Sequence, residues 1–420
     1  MMQEHAGMQH EMTMVSLGGG WMALGMAQVF PTATLALPAD DDTPLARRGL
    51  YLTQPALMLN VESRGSGVSL RTTFNFEGIT QPGGELTFGG WGEGFIDKRH
   101  PHTILHEAML SANVWASRGG GFSISAGKGF APYGTDDPMS RPVVKYPTNH
   151  HLSQILERFT LNGVYMNPSW SLEVGVFGGN EPTSAWDFSN AESFANSWSA
   201  RFAKHFGTEM MGTWPLELTG SFGYVKEEHE ADEPASVTRL YNLSLRHEQD
   251  QGFGRMYGLV EGSWSDPKDE DGYFSVAGEA SIARGVHKPY ARIEYATRPE
   301  YERKGPPDSR GFFRYDHDSH PIGATRWLTV VGGYGLTATK LPFSARPYIE
   351  AQWNRVSEER GGIDPESLFG RSSFLSLSAG LRLFLGGEPM RMGAYGVLDA
   401  MTQMHRMQMQ PVAAATQHRH

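Results

Sequence analysis

The sequence predicts an all-β protein: a single transmembrane antiparallel up-and-down β-barrel of about sixteen strands (14–18). Three observations predict it. Apolar and polar residues alternate with period two over long runs. The connections between those runs alternate between short and long. Composition supplies the third: 50 Gly, 22 Phe, 15 Tyr and 10 Trp spread over 420 residues of which only 39% are hydrophobic. A soluble chain of this length would carry longer Leu/Ile/Val runs for its core, whereas strands with one polar face need only half their residues apolar.

Taken in order, strands are expected at 20–36, 50–62, 67–78, 106–117, 121–129, 153–166, 169–178, 195–206, 214–226, 237–248, 253–265, 272–284, 288–298, 325–337, 343–355 and 371–385. In "GVSLRTTFNFE", Val68, Leu70, Thr72, Phe74 and Phe76 share one face, and Ser69, Arg71, Thr73, Asn75 and Glu77 the other. In "SWSLEVGVF", Trp170, Leu172, Val174 and Val176 oppose Ser171, Glu173 and Gly175. In "GYFSVAGEASI", Val276 and Ile282 oppose Ser275, Glu279 and Ser281. The last run, "SFLSLSAGLRLFLGG", sets Leu375, Leu377, Leu381, Leu383 and Leu385 against Ser376, Ser378, Arg382 and Phe384. Several runs reach the roughly 9–11 residues of a tilted strand crossing a bilayer.

The joins sort by parity. Short ones include "ESRGSG", "SRGGG", "NPS" and "ARGVHK"; long ones include 79–105, 130–152, 179–194, 299–324 and 356–370. Short turns on one rim and long loops on the other describe an outer-membrane barrel, and a soluble sandwich has no reason to segregate them. Counting "GGELTFGGWGEGF" as a strand would put 130–152 on the short-turn rim, so it belongs inside a loop.

The expected organisation is a flexible Met/His-rich segment at 1–18, the barrel at 19–386, and a flexible Met/His-rich tail at 387–420. Outer-membrane lipid is the expected surroundings, in a Gram-negative bacterium. No signal peptide is visible: the first basic residue is Arg47, so "MVSLGGGWMALGMAQVF" lacks a positive leader region. No segment approaches the roughly 18–20 apolar residues of a spanning helix. A formal net charge of −10 argues against nucleic acid as a partner. The absence of Cys suits an exported chain.

Alternation also predicts which charges line the pore. Arg71, Arg201, Arg246, Arg292, Arg346 and Arg382 should point inward, with Glu77, Glu173, Glu217, Glu261, Glu279, Glu294 and Glu350. The basic set is all Arg, which pairs bidentately with carboxylates and stiffens a wall. Neither sign forms a ladder of its own, so a passage for small polar or ionic solutes is expected rather than one ruled by a single sign. Tyr165, Trp170, Trp198, Tyr241, Tyr295 and Trp353 fall near strand ends, where girdles form.

Three clusters carry metal-ligating side chains. "DKRHPHTILHE" holds His100, His102 and His106 beside Asp97 and Glu107, and His150 and His151 follow on the next long loop. At the N-terminus stand His5, Met8, His10 and Met12, and near the C-terminus Met404, His405, Met407 and Met409. Thioethers favour Cu(I) and imidazole accepts Cu(II), so copper is the ion such segments would capture, though no cofactor is required. The loop histidines have a second reading, in which Asp97, Arg99 and a rigid His-Pro-His turn latch the loop. No Ser/His/Asp arrangement stands out: Ser153 beside His151 is only a neighbour in sequence, and an outer-membrane hydrolase is the weaker alternative. Oligomeric state is not legible.

The sequence resembles a family of uncharacterised Gram-negative outer-membrane proteins. The likeness runs from "GGGWMALGMAQVF" to about residue 210. It rests on Asp97, His100, Pro101 and His102, on "DPMSRP", on "NHHLSQILER", and on "GGNEP" and "SWSAR". Thr103 departs from it, standing where an acidic residue often follows. The resemblance implies an outer-membrane barrel, encoded in some members beside copper-resistance genes. It assigns no solute and no residue roles. The expected function is a porin-like channel, with copper sequestration as the alternative.

Overall fold

The alternating runs pair into one antiparallel sheet that closes on itself. The computed structural model describes residues 14–37, 48–63, 66–80, 103–117, 119–148, 150–182, 185–187, 191, 193–207, 214–229, 234–268, 270–300, 303–304, 314–315, 321–337, 344–386, 391–399 and 402–403. Sixteen strands form the closed wall. They are β1 (Trp21–Leu37), β2 (Arg48–Ser63), β3 (Val68–Asn75), β4 (Leu105–Ser117), β5 (Gly120–Gly129), β6 (Arg158–Asn167), β7 (Trp170–Phe177) and β8 (Ser197–Phe206). There follow β9 (Leu216–Glu227), β10 (Ser236–Gln251), β11 (Gly254–Pro267), β12 (Tyr273–Ala283), β13 (His287–Glu300), β14 (Gly323–Leu336), β15 (Ser344–Arg360) and β16 (Ser373–Leu385). Each pairs with the next, and β16 returns to β1 from Leu375↔Leu37 to Leu385↔Ala27. Closure gives every wall strand two partners, which a backbone in hydrocarbon requires.

The pairing divides the connections between two rims. One carries the turns 64–67, 118–119, 168–169, 207–215, 252–253, 284–286 and 337–343. The other carries 38–47, 76–104, 130–157, 178–196, 228–235, 268–272, 301–322 and 361–372. The segregation is strong but incomplete, since 207–215 is longer than 268–272.

Several boundaries differ from expectation; β15, for one, runs five residues further, to Arg360. A short strand, Met14–Gly18, pairs with Trp21–Leu24 through a turn of Gly18, Gly19 and Gly20, all at positive φ. It covers the edge of β1 that β16, ending opposite Ala27, leaves open. The sheet therefore reaches into the segment expected to be flexible. β3 stops at Asn75, where a short helix, Glu77–Thr80, takes over. There Glu77 accepts hydrogen bonds from Thr53 Oγ1 (3.0 Å) and Gln54 N (2.8 Å). β6 begins at Arg158 rather than 153, because His150–Ser153 forms a 3-10 turn and Glu157 adopts φ +60°.

The outer face carries the apolar band. Leu57, Leu59, Leu110, Ile124, Leu172, Val174, Leu243, Val260, Val276, Ile293, Ile349 and Leu377 are all exposed on it. Two aromatic belts border the band. Trp115, Tyr165 and Trp170 adjoin near the turn rim, with ring centroids 6.2 and 4.8 Å apart. Trp198, Phe222 and Tyr241 adjoin near the loop rim, at 5.1 and 5.2 Å.

Candidate functional site

The inner face is where the chemistry lies. Arg71, Glu173, Arg201, Glu217, Arg246, Glu261, Glu279, Arg292, Glu294, Arg346, Glu350 and Arg382 all point inside and are buried. Register explains several pairings. Glu173 lies opposite Arg201 on β7 and β8, and their bidentate contact has bonds of 2.7 and 2.8 Å. Glu279 lies opposite Arg292, at 3.4 Å. Arg346 and Arg382 are also directly opposed, and like charges there would repel. Each stacks instead on Phe384, with Arg382 also lying 4.8 Å from the Phe30 ring.

The lumen is not empty. The chain between β5 and β6, residues 130–157, folds inward and is buried along most of its length. Wall arginines hold its carbonyls: Arg382 donates to Pro142 O (2.9 Å) and Arg141 O (3.3 Å), and Arg292 to Lys145 O (2.9 Å) and Tyr146 O (2.7 Å). Wall glutamates hold its amides: Glu350 accepts from Val144 N (3.3 Å) and Glu294 from Thr148 N (2.8 Å). Side chains complete the seat. Arg141 reaches Glu261 (3.3 Å) and Glu279 (3.7 Å), Asp136 reaches Arg246 (3.2 Å), and Lys145 Nζ donates to Ser376 Oγ (2.6 Å). The wall charges therefore serve as partners for an inserted backbone, whose polar groups would otherwise be buried without partners.

A second segment enters from the turn rim. After β16, Gly386 turns the chain at φ +76°, where an added Cβ would sit 2.2 Å from Gly25 O. Residues 391–399 and 402–403 then lie in the lumen. Arg391 pairs with Asp136 (2.8 Å) and Glu217 (2.8 Å), Tyr395 Oη donates to Glu107 (2.8 Å), and Asp399 meets Arg71 (3.1 Å). This corrects the expectation of a flexible tail for residues 391–399 and 402–403. It also corrects the expectation of a wholly polar lumen. Leu24, Met26, Met58 and Met109 point inward and pack with Phe130, Met139, Tyr146, Leu156, Met392 and Tyr395. Between the two inserted segments and β7–β10 lies a cavity of about 50 Å³, lined by Asp136, Glu173, Arg201, His205, Glu217 and Arg391.

The end of the His-rich stretch is a latch in the described residues. Thr103 N donates to Glu157 Oε1 (3.0 Å), His106 Nδ1 lies 2.7 Å from the same carboxylate, and Lys128 Nζ donates to Thr103 Oγ1 (2.7 Å). His150 and His151 stack with ring centroids 4.3 Å apart, beside Tyr146. Among the described residues no group of three or more His, Asp and Glu is arranged to hold a metal. His5, Met8, His10, Met12, Asp97, Arg99, His100, His102, Met404, His405, Met407 and Met409 lie outside the described residues.

Sequence reasoning missed Asp136, Arg141, Lys145, Arg391, Tyr395 and Asp399, none of which sits on a strand. A signal did exist. The connection between β5 and β6 carries five charged residues at 136–157 together with Met139, Val143, Val144 and Tyr146, a mixture more apolar than a solvated loop needs.

A closed sixteen-stranded wall, an apolar outer band, two aromatic belts and a polar charge-paired interior define an outer-membrane β-barrel. No family model and no curated protein matches the chain. Among solved structures it is similar to an anion-selective porin from Comamonas acidovorans, at 12% identity and TM-score 0.48, over 86% of this chain and 100% of that one. It is likewise similar to OprB of Pseudomonas putida, at 10% identity and TM-score 0.48, over 87% and 94%. The outer membrane channel DcaP of Acinetobacter baumannii follows at 9% identity and TM-score 0.46, over 88% and 99%.

Proposed function

We propose that the protein is an outer-membrane channel for small polar or ionic solutes, narrowed by residues 130–157. The observation that carries this reading is the inner wall itself. Arginines and glutamates in similar number are buried on the strands, and both signs engage one inserted loop. A sixteen-stranded wall encloses more space than its own side chains fill, so a loop that narrows it sets the size of what passes. Mixed charge suits polar solutes of either sign more than selection of one. Proteoliposomes should therefore swell in small sugars, amino acids and salts, and fail to swell as solute size rises. Equal impermeability to all of them, with the barrel folded, would contradict a channel.

A second reading concerns copper. The Met/His clusters flank Met14 and Gln403, and both of those residues belong to the turn rim: Met14 pairs beside the start of β1, and Gln403 Nε2 lies 3.2 Å from Met166 Sδ near the 168–169 turn. That common rim supports joint capture of Cu(I) by thioethers and imidazoles. Titration with Cu(I) against a competing chelator should show weaker binding once Met8, His10, Met12, Met404, His405, Met407 and Met409 are replaced by Ser. Unchanged affinity would remove the clusters from the reading.

A further inference from the structure

We propose that residues 391–399 and 402–403 belong to an internal plug, an autoinhibitory strap that closes the lumen from the turn rim and leaves it when the channel opens. The inference rests on the channel reading above and adds a moving part to it. The first support is topological. The wall closes by pairing β16 with β1, and the segment contributes no strand to it. Its regular structure among the described residues is the 3-10 turn Gly396–Leu398 and helical residues at 402–403. Removing it from the lumen costs the barrel no interstrand hydrogen bond. The inserted loop 130–157 differs, being anchored in wall strands at both ends, whereas the plug follows the last wall strand and no strand follows it among the described residues.

The second support is the seat. It combines apolar packing, of Met392 and Tyr395 against Met109 and Phe130 and of Val397 against Val164, Met166 and Trp214, with a set of polar contacts. Arg391 grips Glu217 with both terminal nitrogens (2.8 and 3.2 Å) and Asp136 through Nε (2.8 Å). Arg201 Nη2 donates to Gly393 O (2.6 Å), and Arg71 holds both Asp399 (3.1 Å) and Ala394 O (3.3 Å). Ser123 Oγ accepts from Val397 N (3.0 Å), and Tyr395 Oη accepts from Phe130 N (2.9 Å). Asp136 belongs to the inserted loop, so this contact ties the plug to residues 130–157.

The third support is size. With the segment seated, the cavity beside Arg391 is about 50 Å³, room for a handful of waters and no hydrated solute. The segment therefore takes up lumen volume beside β7–β10 that a passing solute would otherwise use.

The chain has no cysteine, so an engineered pair reports cleanly. A Cβ built at Gly121 would lie 3.3 Å from Val397 Cβ, near the roughly 3.5–4.5 Å that a disulfide spans. The full-length Gly121→Cys/Val397→Cys protein should form that bond. Planar-bilayer openings should be lost on oxidation and return on reduction. Openings that persist in the oxidised protein would overturn the proposal, as would failure of the disulfide to form in folded barrels. A second measurement does not depend on conductance. Val397 is fully buried, so Val397→Cys should react slowly with an impermeant maleimide. Adding Arg391→Ala and Asp399→Asn should speed that reaction. Unchanged labelling overturns the plug whatever the channel does. Faster labelling with no current in any variant would instead leave the strap mobile and refute the channel.

Discussion

At the scale of single residues, the interior works by opposing charges across strands and by giving the remaining charges to inserted backbone. Glu173 and Arg201 show the first use. Their bidentate pair is buried on both sides, so removing one partner leaves a charge without compensation. Arg201→Ala should lower stability by about 3–5 kcal/mol, and Glu173→Gln with Arg201→Met by much less. Urea unfolding of the detergent-solubilised barrel, followed by gel mobility, would check both; equal losses would mean that the pair is not the source. Arg292 and Arg382 show the second use, each holding two carbonyls of the loop. The inward direction of these side chains was legible because strand geometry leaves two faces only, and Leu381 and Leu383 claim the lipid face around Arg382. Their partners were not legible. Arg141 and Asp136 lie on backbone with no periodicity, so nothing local says that they point at Glu261 and Arg246.

At the scale of elements, the strands and the insertions obey different rules. A strand crossing lipid must satisfy its backbone sideways, and the run of alternating residues marks its extent closely; β8 and β12 fall within two residues of expectation at each end. The loop 130–157 is shaped by the cavity that receives it, which exists only once sixteen strands have closed. Residues 391–399 and 402–403, expected in a flexible tail, were misread for the same reason. Arg391, Tyr395 and Asp399 are spaced four residues apart, yet they reach β9, β4 and β3, three strands remote in sequence. The loop's own closure depends on Gly134, at φ +65°, where a Cβ would meet Ser153 O at 1.7 Å. Gly134→Ala should push the two limbs of the loop apart while leaving the barrel intact. Limited proteolysis should then cut within 130–157 in the variant and spare the native protein. Identical digestion patterns would show that the contact is dispensable.

At the scale of the whole molecule, one wall carries two solvents. Lipid meets Leu, Ile, Val and the aromatic belts, while a charge-paired interior holds a loop and a strap in place of bulk water. The barrel, its strand count and its inward charges were all readable from period two and loop parity. That the lumen is filled was not, because filling is decided by which long connections turn inward. The central claim is that residues 130–157 narrow a polar pathway and that wall charges hold them there. Single-channel recording of full-length protein carrying Arg292→Ala, Arg382→Ala and Glu350→Gln tests it most directly. With those holds on the loop weakened, the unitary conductance should exceed that of the native protein by roughly twofold or more. A folded variant whose unitary conductance matches the native value would contradict the account.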